Sequence, residues 1–220
     1  MAVAGIVAEY NPFHLGHAYH LAQTRAALGR DGAVVCVMSG HWVQRGECAA
    51  ADKWTRSALA LAGGADLVLE LPTPWAMASA EAFARGAVGL LEATGVVDTL
   101  SFGSEEGDLE ALQQAAAALD APGYPARLRA ELGRGLSFPA ARQAAADCPC
   151  LSSPNNNLGV EYLRALHALG SAMTSMTVAR QGAGHDSTGH LEGFASASQD
   201  RKSTRLNSSH QWKSRMPSSA

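Results

Sequence analysis

Apolar and polar positions alternate along the chain between short strand-like runs and longer helix-like segments. Four apolar runs, rich in β-branched residues, are continuous enough for strands buried on both faces of a sheet. They cover residues 2–8, 33–39, 65–71 and 96–102, the last ending at Gly103, and a fifth strand is predicted at residues 175–180. Helix-like segments separate these runs. The alternation predicts an α/β fold, a Rossmann-like parallel sheet with flanking helices.

The predicted helices cover residues 16–27, 52–62, 79–94, 108–119 and 155–169, with two shorter helical pieces before residue 146. A polar loop at residues 40–51 follows the second strand. The length of 220 residues, with 47% hydrophobic residues, suits one large domain or one and a half. We predict a nucleotide-binding α/β domain at residues 1–150 and the start of an incomplete, partly helical C-terminal portion at residues 151–198.

The last 22 residues differ from the rest in charge and pattern. Residues 199–220 carry five Lys/Arg and one Asp, a net charge of +4, whereas residues 1–198 carry 12 Lys/Arg and 19 Asp/Glu, a net charge of −7. The segment lacks apolar periodicity and resembles a translated sequencing adapter, so it is interpreted as a non-native, disordered tail. A basic RNA-binding arm is the alternative. The acidic body does not have the charge typical of a nucleic-acid binder.

Sequence features also indicate the cellular compartment and whether a metal ion is bound. No apolar run reaches the length of a membrane span, and the N-terminus has no signal-peptide pattern. The four cysteines have no disulfide-framework spacing, and reduced thiols fit the cytoplasm. Cys148-Pro-Cys150 lacks a second ligand pair at zinc spacing, so no bound metal is predicted.

The segment between the first strand and the first helix carries the most informative chemistry. It contains His14-Leu15-Gly16-His17, a His-x-Gly-His sequence at a predicted helix start. Free backbone N–H groups and the helix dipole favour an anion at such a position in an α/β sheet. Gly16 permits close approach of the backbone, and both histidines can donate to phosphate oxygens. The alternative is that they are ordinary polar loop residues. His17 and His20 are expected to share a helix face.

Other candidate residues follow later predicted strands, at the edge where α/β sheets bind ligands. Arg45 could contact a phosphate or carboxylate, or be a surface side chain of a flexible loop. Lys53, at a predicted helix start, is a candidate anion contact or a solvated side chain. Gly103 could let a nucleoside lie against the backbone, and residues 180–186 form a Gly-rich loop that could hold an anion.

Together these segments resemble the tRNA(Met) cytidine acetate ligase family. They occur in family order and cover nearly all of residues 1–198: AEYNPFHLGHAYHL, VMSGHWVQRGE, DKWTRSALALAGGADLVLELP, SAEAFARGAV, VDTLSFGSE, SPNNNLGVEYL and ARQGAGHDS. The resemblance implies an HxGH adenylyltransferase-type fold. It also implies an enzyme that activates acetate with ATP and then acetylates N4 of the wobble cytidine of elongator tRNA(Met).

The resemblance also implies site residues. His14 and His17 would be catalytic, at the triphosphate of ATP. The ATP-binding residues would be Val7, Ala8, Glu9, Tyr10, Asn11, Pro12, Phe13, His14, Leu15, Gly16, His17, Ala18, Tyr19, His20, Gly103, Asn156 (with Asn155 a weaker match) and Arg180. Mg²⁺ with ATP is a general expectation for adenylation. No base for the cytidine amine stands out; Glu9 and Asp186 are the nearest carboxylates in motif order.

The chain departs from the family pattern at several points. Residues 39–42 read Ser-Gly-His-Trp where the family usually has Ser-Gly-Asn-Phe, Cys48 stands where a Pro is usual, and no Tyr precedes His185. The match stops at residues 194–198, so the family's C-terminal part is expected to be missing. Two alternatives stay open: another HxGH adenylyltransferase with a phosphopantetheine-like acceptor, and an ATP-binding fragment without turnover.

Overall fold

The computed structural model describes residues 1–180, apart from the side chain of Arg45. Seven strands lie in this part of the chain: β1 (Val3–Ala8), β2 (Ala33–Ser39), β3 (Trp42–Val43), β4 (Glu47–Cys48), β5 (Leu67–Leu71), β6 (Thr99–Ser104) and β7 (Thr174–Ala179). Five of them form a parallel sheet in the order β5-β2-β1-β6-β7, and β3 and β4 form a separate antiparallel hairpin. The predicted Rossmann-like α/β fold is confirmed.

Eight α-helices connect and cover the strands in residues 1–180. They are α1 (Leu15–Leu28), α2 (Lys53–Ala62), α3 (Thr73–Ala76), α4 (Ala80–Ala93), α5 (Leu109–Asp120), α6 (Tyr124–Gly133), α7 (Phe138–Ala146) and α8 (Pro154–Leu169). Four of these helices begin directly after a residue whose side chain caps the helix. The side chains of Asp52, Ser79, Asp108 and Ser153 each accept a hydrogen bond from a backbone N–H of the helix that follows.

The two faces of the sheet carry two separate apolar cores. Alternate residues of β2 point to opposite faces, as the two-residue period of a strand requires. Cys36, for example, packs in one cluster with Leu21 of α1 and Ala60 of α2. Val35 and Val37 instead belong to a larger cluster with buried residues of α4, α5 and α8. Helices on both faces explain why the strands are continuously apolar in sequence.

The third and fourth predicted strands differ from the structure at their ends. Residues 65 and 66 do not belong to β5, because the Ala65 N–H still donates to the Ala60 carbonyl of α2. The fourth strand was expected to end before Gly103, but β6 starts at Thr99 and continues through Gly103 to Ser104. Gly103 pairs with Val178 of β7. A neighbouring strand, which local sequence cannot reveal, therefore extends β6.

Two further segments differ from the sequence-based expectations. The predicted polar loop at residues 40–51 contains the β3–β4 hairpin, which turns through residues 44–46. α8 and β7 follow residue 150, where a domain boundary was predicted, yet β7 extends the main sheet and α8 contributes to the larger core. One sheet and one core therefore continue across that position.

The strand order places a crevice at the carboxyl end of β1. From β1 the chain passes to β2 on one side, and it later returns to β6 on the other side. In open α/β sheets ligands bind at such a switch point, outside the carboxyl ends of the strands. No helix within residues 1–180 combines the length and apolar character that a membrane span requires.

Candidate functional site

The segment predicted to carry the chemistry lies at the switch point. It leaves the end of β1, the central strand of the sheet, and enters α1. His14 is the N-cap residue of α1, so its backbone is extended while the helix begins at Leu15. The N-terminal N–H groups and the positive end of the α1 dipole therefore face the crevice.

His14 and His17 cap the helix reciprocally. The Nδ1 atom of His14 accepts a hydrogen bond from the Gly16 N–H at 3.1 Å, and the His14 N–H donates to Nδ1 of His17 at 3.2 Å. The two imidazole rings stack with their centroids 3.7 Å apart. The arrangement is a capping box built from histidines in place of the usual Ser/Thr and Glu/Gln.

These hydrogen bonds determine which nitrogen of each ring carries the proton. Because both Nδ1 atoms accept from backbone N–H groups, the network assigns the proton of each neutral ring to Nε2. Burial lowers the pKa of His17 well below its ordinary value, and repulsion from Arg180, and from His14 and His20 whenever these are protonated, lowers it further. His17 is therefore a neutral Nε2–H donor at pH 7.

His20 faces a different neighbour. Its Nε2 atom lies 3.0 Å from the hydroxyl of Ser101 in β6, and the hydroxyl of Thr24 lies 2.7 Å from the same oxygen. Burial lowers the pKa of His20 to about 4. The hydrogen bond to Ser101 shows that this imidazole helps to dock α1 on β6. Its assignment to the ATP-binding segment stays a prediction.

The buried side chain of Tyr10 lies between His17 and Cys36 of β2. Its backbone is left-handed, with φ at 47°, and its side chain is buried at 2% exposure. The hydroxyl lies 3.3 Å from Sγ of Cys36, and the ring contacts the His17 ring edge-on with centroids 4.9 Å apart. Burial raises the pKa of Tyr10 well above its ordinary value. Its side chain thus belongs to the frame that holds His17.

The loop that follows β2 holds the segment between β1 and α1 in place. The Glu9 carboxylate accepts from the Gln44 N–H at 2.7 Å, and Oδ1 of Asn11 accepts from the Ala50 N–H at 2.6 Å. Glu9 was one of two candidate bases, and here its carboxylate holds the β3–β4 turn. The other, Asp186, lies outside the described residues, as does the Gly-rich loop beyond Arg180.

Arg56 is a residue of the site that sequence reasoning missed. Its side chain is fully buried, and its guanidinium donates to the carbonyls of Glu9, Ser39, Gly40 and Ala51. A signal was present: Arg56 lies four residues before Ala60, the buried residue of α2, and so shares its apolar face. The sequence analysis had instead selected Lys53 in the same helix.

Lys53, the predicted anion contact whose side chain the structure describes, already has a partner. Lys53 forms an ion pair with Glu70 of β5, Nζ to Oε2 at 2.6 Å, and its ammonium lies 5.2 Å from the Trp54 ring centroid. Arg45 lies in the turn between β3 and β4, and its side chain is outside the description. Both remain predictions, and Lys53 already has a carboxylate partner.

The remaining predicted contacts meet at the ends of β6 and β7. Asn156, buried at 1% exposure, accepts from the Glu105 N–H at 2.9 Å and donates to the Glu106 carboxylate at 3.2 Å. Asn155 donates to the Glu105 carboxylate at 2.6 Å, and Nη1 of Arg180 lies 3.5 Å from the same carboxylate. Glu105, which the sequence analysis did not select, connects these residues. Gly103 lies close by in β6.

The charge of Arg180 links this group to the histidines, because it contributes to the lowered pKa of His17. The neutral Nε2–H donor of His17, the N-terminus of α1 and the Arg180 guanidinium therefore lie along one edge of the sheet. Such a set can bind an anion and stabilise negative charge that develops on it.

The fold and this edge define a class of protein. The chain belongs to the HIGH nucleotidyl transferase family, whose family model matches residues 1–220. Within that class it is similar to proteins named tRNA(Met) cytidine acetate ligase. One from Syntrophotalea carbinolica is 51% identical over 92% of this chain and 50% of the relative, and one from Acetivibrio thermocellus is 46% identical over 92% and 51%. The resemblance seen in the sequence is confirmed.

Solved structures agree with these relatives. Apo Thermotoga maritima TmcAL superposes with a TM-score of 0.87 at 40% identity, over 99% of this chain and 55% of that one. TmcAL bound with alpha-thio ATP superposes with a TM-score of 0.83 at 39% identity, over 99% and 54%. The chain thus spans about half the length of the curated relatives and structures that it matches.

Proposed function

We propose that the chain is the ATP-binding half of an acetate ligase that modifies tRNA. In the first step an acetate oxygen attacks the α-phosphorus of ATP, the bond to the β-phosphate oxygen breaks, and pyrophosphate leaves. In the second step the N4 amine of the wobble cytidine of elongator tRNA(Met) attacks the acetyl carbon. AMP leaves, and the amine loses a proton to give N4-acetylcytidine.

One observation carries this proposal: the stacked pair of imidazoles at the N-terminus of α1, whose Nδ1 atoms both accept from backbone N–H groups. Charge accumulates on the α-phosphate and on the leaving pyrophosphate during adenylyl transfer. Preorganised donors and a helix N-terminus stabilise such charge without moving a proton. Because the pKa of His17 is lowered, its role as a neutral donor persists through the neutral pH range.

The other nucleotide contacts are proposed from their position. Gly103, Asn156 and Arg180 lie at the carboxyl ends of β6 and β7 and the start of α8, beside the histidines in the sheet edge. We assign the triphosphate to the 7–20 segment and the nucleoside to this second group. The similarity to TmcAL, which has been solved with alpha-thio ATP, supports ATP as the nucleotide.

We propose that any Mg²⁺ at the site is bound mainly by the nucleotide. Within residues 1–180 no group of three or more His, Cys, Asp or Glu side chains is placed to hold a metal ion. Mg²⁺ at nucleotide sites is commonly bound by phosphates with only one or two carboxylates. We therefore propose that the triphosphate carries the ion to the site.

The acetyl acceptor and acetate are proposed from the names of the relatives, and the cytoplasmic setting is proposed from the absence of a disulfide-framework spacing among the four cysteines. These names favour acetate and tRNA over a phosphopantetheine-like acceptor. A binding fragment without turnover stays as a second candidate, because the chain covers 50% and 51% of these relatives. The cytidine amine is a weak nucleophile, so the complete site must hold an unstacked base against the mixed anhydride.

ATP–pyrophosphate exchange tests the first step. The chain is assayed with and without acetate, beside His17→Ala and a control, His167→Ala, whose side chain is 84% exposed at the end of α8. Acetate-dependent exchange in the wild type and the control, lost in His17→Ala, supports the proposal. ATP binding without exchange favours the fragment, and exchange that requires a phosphopantetheine compound favours the other transferase.

A further inference from the structure

A single buried guanidinium joins the two loops that form the site. Arg56 has no solvent-exposed surface, and all four of its hydrogen bonds go to backbone carbonyls. Nη1 donates to Glu9 at 2.6 Å and to Ser39 at 3.1 Å, Nε donates to Ala51 at 3.0 Å, and Nη2 donates to Gly40. Burial lowers the pKa of Arg56, while the charges of Glu9, Asp52 and Glu70 raise it.

Three of the four carbonyls belong to residues outside the strands, and the fourth belongs to Ser39, the last residue of β2, which pairs with Leu71 of β5 but has no partner in β1. The last pair of the β1–β2 ladder is Ala8 with Met38, so Glu9 and Ser39 are the first residues beyond it. A backbone carbonyl in a buried position needs a partner, and one guanidinium with its planar set of donors satisfies several at once. Arg56 therefore holds the segment that follows β1 in a fixed position relative to the end of β2.

We propose that Arg56 is a positioning residue of the nucleotide site, which holds the start of the 9–14 segment against the end of β2. Arg56 donates a hydrogen bond to the carbonyl of Glu9 and so fixes the position of the next residue, Tyr10. The Tyr10 ring in turn contacts the ring of His17. The full burial of Arg56 excludes direct contact with a ligand in this arrangement. This inference rests on the proposed function only in taking ATP as the ligand.

If Arg56 had only a structural role, the expected result of replacing it would be different. Replacing a buried charged side chain by an apolar one of similar size is often neutral or stabilising. If Arg56 only filled the core, Arg56→Met would leave the histidines and the nucleotide affinity unchanged. If it positions the loop, the four carbonyls lose their donor and the 9–14 segment shifts, whatever happens to the overall stability.

Arg25 supplies a matched control at the opposite edge of the sheet. Its guanidinium also binds backbone carbonyls, Nε to Gly64 at 2.7 Å and Nη1 to Gly32 at 3.3 Å, and it pairs with Asp66. Gly32 and Gly64 precede β2 and β5, so Arg25 joins their amino ends. Arg25→Met removes the same kind of clamp without touching the histidines.

The experiment measures ATP affinity by calorimetry and the ¹⁵N signals of the histidine side chains by NMR. Wild type, Arg56→Met, Arg56→Lys and Arg25→Met are compared under conditions in which each is folded. We expect Arg56→Met to weaken ATP binding about tenfold or more and to move the His14 and His17 signals without nucleotide. Lysine keeps the charge but not the planar set of donors, so Arg56→Lys should show the same changes in smaller degree.

Arg25→Met is expected to keep ATP affinity within about twofold of wild type and to leave the histidine signals in place. Wild-type affinity and unchanged signals in folded Arg56→Met would overturn the proposal. If Arg56→Met does not fold, Arg56→Lys decides by the same two readouts. If the wild type itself fails to bind ATP, the proposed function fails, while the histidine signals still test the positioning role.

Discussion

At the scale of single residues, the imidazole of His14 combines an observed capping role with the chemical role that we propose for it. Its Nδ1 atom caps α1 through the Gly16 N–H, a task that Asn, Asp, Ser or Thr performs in most helices. Those shorter side chains can cap the helix but carry no imidazole ring. The ring, to which we assign the chemical role, is therefore what distinguishes His14 from the usual capping residues.

Substitution of His14 should separate these two roles. His14→Asn keeps a capping oxygen, so we expect its free energy of unfolding to stay within about 0.5 kcal/mol of wild type; His14→Ala should lose about 1 kcal/mol. Both variants should lose acetate-dependent ATP–pyrophosphate exchange, because neither carries the imidazole. Urea unfolding and the exchange assay check the pair. Retention of exchange in His14→Asn would show that the cap is the only role of the residue.

His20 should make the fold sensitive to mild acid. Its pKa is lowered from 6.5 to about 4, so between these values the unfolded chain binds a proton that the folded chain excludes. Stability is then complete above about pH 6.5 and falls as the pH drops toward 4. At about 1.4 kcal/mol per pKa unit the loss from His20 is at most about 3 kcal/mol.

Urea unfolding at several pH values tests this contribution. His20→Gln keeps a polar group near Ser101 but does not titrate, so its stability should fall less steeply than that of wild type between pH 6.5 and pH 4. The two proteins share all their other titratable groups, and of these His17 is the one whose lowered pKa also depends on His20. Parallel curves for the two proteins would contradict the assignment of a lowered pKa to His20.

At the scale of elements, α8 packs unusually close to β6. A Cβ atom added at Gly159 would lie 2.8 Å from Cε2 of Phe102, and that ring is itself buried against Tyr162. The glycine lets the helix approach the strand, although glycine disfavours a helix by about 1 kcal/mol relative to alanine. Gly89 in α4 differs, because its nearest neighbour would be 3.9 Å away.

Alanine at these two glycines should therefore have opposite effects. Gly159→Ala is expected to destabilise the protein by about 1 to 2 kcal/mol, since overpacking of the Phe102 ring outweighs the gain in helix propensity. Gly89→Ala should stabilise it by about 0.5 to 1 kcal/mol. Thermal and urea unfolding measure both changes. A stabilised Gly159→Ala variant would mean that α8 can move away from β6 at little cost.

The same elements indicate how far sequence reasoning reaches. The β1–loop–α1 unit was predictable because an apolar run, a Pro-containing loop and a helix start are all local signals. Glu105 was not, and for Arg56 the helix face indicated burial but not its role, since the partners of both residues are carbonyls and side chains supplied by other elements. Lys53 illustrates the converse: its sequence position suggests an anion contact, but its carboxylate partner, Glu70, comes from β5.

At the scale of the whole molecule, the core crosses the domain boundary that was predicted at residue 150. α8 follows that position, yet Val160, Tyr162, Leu163 and Leu166 lie in the same cluster as Phe83 of α4 and Leu100 of β6. Glu161, also on α8, is buried and pairs with Arg142 of α7 and with Arg164. α8 is therefore part of the sheet's covering layer.

A chain that ends at residue 150 should consequently fail to fold. It loses seven large core side chains, which are Leu151, Val160, Tyr162, Leu163, Leu166, Met173 and Val178. At roughly 1.5–3 kcal/mol for each buried side chain the loss is about 10–20 kcal/mol, which equals or exceeds the whole stability of an ordinary domain, about 5–15 kcal/mol. Cooperative urea unfolding and near-UV circular dichroism should be absent from chain 1–150 and present in chain 1–198. Cooperative unfolding of chain 1–150 would instead support a domain boundary near that position, because α1 to α7 and the first four strands of the main sheet would then suffice for a core.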